Sequence, residues 1–108
     1  MTAPRLRHPD RLFIGGQWVE AHSGRRIELV SPDTELVVAT VAEADETDMD
    51  RAVAAARKAF DEGPWQWTSP AGRVAAMRRF VEALRRREDE LAAAWSLQMG
   101  GLATAAPY

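Results

Sequence analysis

The sequence predicts an α/β fold in which a β-meander is followed by two amphipathic helices. Short β-prone runs separated by turn residues extend as far as Val41, helical spacing begins at Thr47, and Ser69-Pro70 opens a second helical stretch. The 108 residues fit one small domain, and a domain of this size buries only about two thirds of its unfolded surface. We therefore expect a small margin of stability.

The meander is predicted from four β-prone runs, Leu12–Ile14, Gln17–Val19, Ile27–Val30 and Leu36–Val41. Gly15-Gly16 supplies the positive φ angles of a tight hairpin turn between the first two runs. The polar stretch His22–Arg25 and the tripeptide Ser31–Asp33 are turns between the others. The fourth run has few polar residues, which predicts a strand buried on at least one face.

The first helix is predicted from apolar residues at spacings of four, three and four, namely Met49, Val53, Ala56 and Phe60. Thr47 followed by Asp50 resembles a capping box, with Asp48 and Asp50 as the acidic first turn and Lys58 in the last turn. Gly63-Pro64 is expected to end the helix, with Gly63 in the left-handed conformation.

The second helix is predicted to run from Pro70 to the segment 98–101, with Ser69 as its cap. One apolar stripe comprises Val74, Met77, Val81, Leu84, Leu91 and Trp95. Gly72 stands where a capping Glu would help, and Gly inside a helix costs roughly 1 kcal/mol relative to Ala, so we expect a weakened start. Residues 102–108 form a short apolar tail with no obvious partner in the chain, as though the polypeptide were interrupted.

Composition and charge exclude several classes of function. The net charge of -2 gives no overall attraction to nucleic acid or anionic lipid, and the absence of Cys removes disulfides, thiolate metal sites and thiol nucleophiles. Residues 1–10 resemble a flexible tail and not a signal peptide, and no apolar run approaches the ~18 residues of a membrane span. A cytoplasmic protein is expected.

The search for catalytic motifs is negative. The sequence contains no GxGxxG, GxxxxGK[ST], HExxH or GxSxG pattern. His8 and His22 lie in the predicted tail and in a turn, without a positioned partner, so neither is expected to be catalytic. No catalytic, cofactor-binding or metal-binding residue is therefore assigned.

An acidic cluster comprises Asp45, Glu46, Asp48 and Asp50. It does not match a calcium-binding loop, because the twelfth position counted from Asp48 is Ala59 and not the closing Glu. The favourable interaction of acidic side chains with a helix start explains the cluster better.

Two surface features leave alternatives open. The second helix carries six arginines, Arg73, Arg78, Arg79, Arg85, Arg86 and Arg87, which could contact phosphates; interleaved acids such as Glu82, four residues before Arg86, favour a self-neutralised solvated face. Four tryptophans, Trp18, Trp65, Trp67 and Trp95, are many for this length. They favour packing against protein outside the chain over a ligand-stacking platform.

Five segments in the same order resemble the start of the NAD(P)-dependent aldehyde dehydrogenases: Leu12–Val19, Val30–Pro32, Ala52–Phe60, Pro64-Trp65 and Ser69–Ala71. The resemblance covers roughly residues 11–99. It implies a Rossmann-like cofactor-binding domain, of which residues 11–108 would be the incomplete amino-terminal segment, and a complete enzyme that is a homo-oligomer. In that family a Cys thiolate attacks the aldehyde, hydride passes to NAD or NADP, and a Glu-activated water releases the acid.

The resemblance carries over no catalytic residue, because the family's Cys, Glu and Asn have no matching positions here. Two departures matter. Gln98 replaces an acidic residue that, with a carbonyl matching Val30, helps many members hold a structural cation, and Gly72 replaces a common Glu. The leading hypothesis is thus a fragment that packs on the remainder of the enzyme or its subunits, inactive alone, with no nucleic-acid or membrane partner. The alternative is a small αβ protein-interaction module without catalysis.

Overall fold

The computed structural model describes residues 6–101. In chain order the elements are β1 (Arg11–Ile14), β2 (Gln17–Glu20), β3 (Arg26–Val30), β4 (Val37–Ala42), α1 (Glu46–Glu62), a short 3-10 helix (Trp65–Trp67), α2 (Pro70–Arg85) and α3 (Glu88–Met99). The α/β class and the order of strands before helices are confirmed. Residues 1–5 of the predicted tail and the apolar tail 102–108 lie outside the described residues.

The strands form two separate antiparallel hairpins. In the first, β1 pairs with β2 so that Leu12 faces Val19 and Phe13 faces Trp18, and the turn uses Gly15 and Gly16 at φ 60° and 79°. This tight hairpin turn is confirmed, because both central residues of such a turn need positive φ. In the second, β3 pairs with β4 with a bulge between Leu29 and Val30.

The prediction of one continuous meander is wrong, because the described ladders do not join β2 to β3. The turn between these strands is held by the connection that follows β4. Ser23 Oγ donates to the Glu43 carbonyl at 3.2 Å, and the Glu43 amide donates to the Arg25 carbonyl at 2.9 Å. These bonds lead the chain away from β2 before β3 begins.

Helix α1 begins two residues earlier than predicted. Asp45 is its N-cap in an extended conformation, and it forms a capping box with Asp48, so the prediction based on Thr47 and Asp50 is wrong. Capping is decided by which side chain reaches the free N3 amide, and the Asp45 carboxylate does so at 3.2 Å. Glu46 and Asp48 are the acidic residues of the first turn.

The end of α1 also differs from the expectation. The helix continues to Glu62, so Lys58 lies outside the last turn, which holds no basic residue. Gly63 follows with φ −82° and ψ 165°, which is extended backbone and not the left-handed conformation. A Cβ at this position would overlap the Ala59 carbonyl oxygen, so glycine is needed here for close approach of the backbone and not for positive φ.

The predicted second helix is two helices. Ser69 caps α2, its Oγ accepting from the Gly72 amide at 3.2 Å with Pro70 at the first position, as predicted. The helix ends at Arg85, and Arg87 at φ −118° and ψ 18° separates it from α3. The break lies between Leu84 and Leu91, where the apolar stripe has no member for one turn. The first turn of α3 then contains three acidic residues, Glu88, Asp89 and Glu90. Gly100 ends α3 in the left-handed conformation at φ 67°.

The stretch before β1 contacts both hairpins. The His8 ring lies 4.5 Å from the Trp18 ring, and the Pro9 carbonyl accepts from the Ala42 amide at 2.8 Å. No helix in the described part of the chain is both long and apolar enough to cross a membrane.

Candidate functional site: an uncovered apolar surface

The apolar side chains of this protein lack a core. Among residues 6–101 no hydrophobic side chain is buried, and Trp67 is 82% exposed. The Cα radius of gyration is 17.1 Å, against roughly 13 Å for a compact domain of this length. The principal extents of 48 × 35 × 18 Å describe a thin layer. The residues that patterning assigns to a core thus have no covering layer in the described part.

Helix α1 uses one face for the first hairpin and leaves another uncovered. Small residues line the hairpin side: a Cβ on Gly15 would lie 3.7 Å from the Ala55 Cβ, and a cleft of about 680 Å³ separates Phe13 from the alanines of α1. Three of the four residues of the predicted apolar stripe are exposed, Met49 at 59%, Val53 at 65% and Phe60 at 52%, whereas Ala56 lines the cleft. These three side chains are not covered in the described part, although their spacing is that of a core-facing helix.

The stripe along α2 and α3 is also uncovered. Its six predicted members, Val74, Met77, Val81, Leu84, Leu91 and Trp95, are each at least 40% exposed. Exposed apolar stripes on soluble proteins are typical of surfaces that bind another protein surface. We call the stripes of α1, α2 and α3 together the uncovered apolar surface.

Among residues 6–101 the one deeply buried charged side chain is Asp48, which is 1% exposed. Its carboxylate accepts from the His22 amide at 3.0 and 3.2 Å, from the Asp45 amide at 3.2 Å and from the Arg51 guanidinium at 3.4 Å. A buried carboxylate is tolerated only when it is paired and hydrogen-bonded, and Asp48 meets both conditions. It fastens the turn after β2 to the first turn of α1.

Asp45 and His22 complete this connection. The His22 Nδ1 lies 2.7 Å from Asp45 Oδ2, while Asp45 Oδ1 accepts from the Asp48 amide. The hydrogen bond from His22 is the main reason that the pKa of the Asp45 carboxyl is lowered; partial desolvation opposes it, and the backbone amide of Asp48 adds to it. We call Asp45, Asp48 and His22 the carboxylate latch.

The latch resembles a catalytic His-Asp pair in distance but not in surroundings. The sequence has no Cys, and the neighbouring hydroxyl of Ser23 donates to the Glu43 carbonyl and accepts from the Arg25 amide, so it is not aligned as a nucleophile. No group of three or more potential metal ligands occurs in residues 6–101. The acidic cluster is accounted for by helix capping, as the sequence favoured.

The residues present do not fit a dinucleotide. Phosphate binding at a helix start needs free amides and no competing negative charge, but Asp45 and Asp48 cap α1 and the Ser69 hydroxyl caps α2. Gly15-Gly16 lies in a hairpin turn, not between a strand and a helix. The starts of α1 and α2 and the Gly15-Gly16 turn therefore do not fit a dinucleotide phosphate.

The remaining histidine and the charged residues of the second predicted helix do not form a common site in the described part of the chain. The His8 ring is tilted against the Trp18 ring and does not contribute to the cluster around His22. Arg87 pairs with Glu90 at 2.9 Å. The expected pair between Glu82 and Arg86 is absent from the salt bridges of the described part. Asp48 was the residue whose role was missed; placing the cap on Asp45 would have put it at the N3 position of a capping box.

The end of α3 lies against the turn that follows β3. A Cβ on Gly100 would lie 2.9 Å from Pro32 Cγ, so only glycine allows this approach. The positive φ of Gly100 adds a second reason for glycine. The contact brings the last turn of α3, which contains Gln98, to the same end of the molecule as Val30.

Comparison with known proteins identifies the family. The profile described as the aldehyde dehydrogenase family matches residues 18–107. The chain is 48% identical to mitochondrial benzaldehyde dehydrogenase of Antirrhinum majus over 80% of its own length and 16% of that protein. It is 42% identical to geranial dehydrogenase of Castellaniella defragrans over 84% of its own length and 19% of that protein.

The solved structures that this chain resembles are also aldehyde dehydrogenases. A variant of aldehyde dehydrogenase C from Pseudomonas syringae, solved with NAD+ and octanal, matches with a TM-score of 0.86 and 42% identity over 94% of this chain and 21% of that one. An indole-3-acetaldehyde dehydrogenase matches with a TM-score of 0.86 and 38% identity over 97% of this chain and 24% of that one. The chain thus spans less than a quarter of the relatives named here.

The fold and the uncovered surface define a one-sided α/β layer. The family match extends over most of it and includes all three helices. This chain belongs to the aldehyde dehydrogenase family.

Proposed function

We propose that this chain is the amino-terminal scaffold segment of an NAD(P)-dependent aldehyde dehydrogenase, an enzyme that oxidises an aldehyde to a carboxylic acid. The observation that carries the proposal is the uncovered apolar surface on a chain that belongs to this family. Burying apolar area stabilises by roughly 25 cal/mol per Å². The segment would recover that energy by packing on the remainder of the enzyme.

The catalytic groups would then lie elsewhere in the enzyme. A thiohemiacetal needs a Cys, and the 108 residues contain none. The NAD or NADP site would also lie outside this segment, because the starts of α1 and α2 are already capped. The role left to this chain is to complete and support the folded body of the cofactor-binding domain.

The substrate class follows from the family and from what its members act on. Relatives at 48% and 42% identity are named for benzaldehyde and geranial, and a structural relative was solved with octanal. These aldehydes differ in shape, so the proposal extends to an aldehyde and no further. We also propose a cytoplasmic location, because residues 1–10 do not resemble a signal peptide. The resemblance to the family further supports a complete enzyme that is a homo-oligomer.

The test starts with the purified 108-residue chain. We expect no formation of NADH from benzaldehyde or octanal with NAD+, because no nucleophile is present. We also expect red-shifted tryptophan emission and strong binding of an apolar dye, because all four indoles are at least 43% exposed. A turnover of aldehyde, or blue-shifted emission without dye binding, would contradict the proposal.

Sequencing the gene beyond the codon for Tyr108 separates the scaffold from the alternative of an independent interaction module. The scaffold proposal expects several hundred further codons, including one for Cys. A stop codon at that position together with a compact, dye-free monomer would favour the module. Family membership favours the scaffold, because its relatives are named as dehydrogenases.

A further inference from the structure

We propose that Asp45, Asp48 and His22 form a protonation-dependent latch, which holds the first hairpin against the start of α1 while the Asp45 carboxylate is ionised and releases it when Asp45 is protonated in acid. The bonds themselves support a fastening role. The His22 backbone amide bonds both oxygens of Asp48, and the His22 ring bonds Asp45. Two different parts of one turn residue are therefore held by two carboxylates of one helix start.

The carboxylates of Asp45 and Asp48 act as hydrogen-bond acceptors in this cluster. Asp48 accepts four hydrogen bonds from three donor groups, the His22 amide, the Asp45 amide and the Arg51 guanidinium. Asp45 must accept from the Asp48 amide and from His22 at once. Protonation of Asp45 therefore weakens both its bond to the His22 ring, which joins the hairpin turn to α1, and the cap of the helix.

The charged groups around His22 come from three elements. Glu20 on β2 and Arg51 on α1 line a depression of about 630 Å³ with the His22 ring. Asp45 and Asp48 face it from the start of α1. The connection after β4 adds Glu43, which is neutralised by Arg25 through two hydrogen bonds of 3.1 and 3.2 Å. Glu20 lies 3.6 Å from the Arg11 guanidinium. The carboxylate that bonds the His22 ring itself is that of Asp45.

The direction of the pH dependence follows from Asp45. Its pKa is lowered in the folded chain, chiefly by the hydrogen bond from His22. A carboxyl with a lowered folded pKa contributes stability that is present above its unfolded pKa and is lost as the pH falls through the folded pKa. The latch is thus closed at neutral pH and opens in acid.

The consequence of opening for assembly rests on the function proposed above, whereas the latch itself does not. Phe13 and Gly15 lie on the hairpin, and Val53 and Phe60 lie on α1. The latch sets the position of these two halves relative to each other. Releasing it would separate apolar groups that dock on the enzyme body together.

Hydrogen exchange measured amide by amide in the full chain tests the latch. In Asp48→Asn the carboxamide places an N–H group among donors, so we expect protection of the His22 amide to fall roughly tenfold or more relative to amides in the middle of α2. The matched control is Asp50→Asn, an exposed Asp two residues further along the same helix, which should leave that ratio unchanged. An unchanged ratio in Asp48→Asn would overturn the proposal.

A second variant keeps the test decisive if Asp48→Asn does not fold. His22→Gln retains the backbone amide bonded to Asp48 but removes the imidazole that lowers the pKa of Asp45. Acid should then release the residue-22 amide at a higher pH than in the unmodified chain. His8→Gln, which changes the only other histidine, should leave the midpoint in place. An identical midpoint in His22→Gln, or loss of protection in α2 at the same pH as at residue 22, would refute an acid-released latch.

Discussion

Replacing Asp48 by Ala is the sharpest test of how this layer is held together. The substitution removes the acceptor of the amides of His22 and Asp45 and leaves both without a protein partner in a partly buried setting. Each partly buried donor left unpaired costs about 1–3 kcal/mol, and Arg51 can turn to water at little cost. We expect the free energy of unfolding to fall by about 3 kcal/mol, a large share of the few kcal/mol available to a small domain.

The assay is urea unfolding at neutral pH, followed by far-ultraviolet circular dichroism. Asp50→Ala is the matched control, because it makes the same change of charge and helix propensity in the same helix at an exposed position. The difference between the two variants isolates the hydrogen bonds of Asp48. A difference below about 1 kcal/mol, the net contribution of one ordinary hydrogen bond, would refute the account of Asp48 as the central fastener.

Three further outcomes are expected. Ser69→Ala should destabilise by about 1 kcal/mol and Ser69→Gly by a few tenths in the same urea assay, because only the hydroxyl of serine accepts from the first turn of α2. Stability measured from pH 7 downward should fall through the lowered pKa of Asp45, and in His22→Gln this loss should begin at higher pH. Gly15→Ala should cost about 1–2 kcal/mol from its positive φ alone, since the added Cβ would meet Ala55 at an ordinary 3.7 Å; no measurable loss would contradict the left-handed turn.

Local elements were predictable wherever one short-range interaction decides them. The Gly15-Gly16 turn needs positive φ, and the Ser69-Pro70 pair both caps a helix and fits its first position, so each was located correctly from sequence. Short β-prone runs between turn residues likewise located the four strands of the described part, and helical spacing located the helical regions. These features depend on neighbours a few residues apart, which a sequence displays directly.

Features set by competition between near-equal choices were mispredicted. Asp45 and Thr47 are both acceptable caps, and the choice of Asp45 depends on where His22 lies after folding. The long helix predicted up to residue 99 breaks at Arg87, although no Gly or Pro marks the position. The N-cap of α1 is selected by a hydrogen bond between residues distant in sequence. The break at Arg87 reflects a small difference in backbone energy between a continuous and an interrupted helix.

The sequence by itself determined the family, the order of elements and the absence of a thiol nucleophile, because these follow from residue identity and local spacing. Only the tertiary structure decided that the strands divide into two hairpins. It likewise decided that Asp48, one of several acidic residues near the start of α1, is buried and joins the turn after β2 to that helix. It also decided that the apolar stripes remain uncovered in the described part of the chain. Burial and pairing depend on which surfaces meet in space, and periodicity specifies the face of an element without specifying its partner.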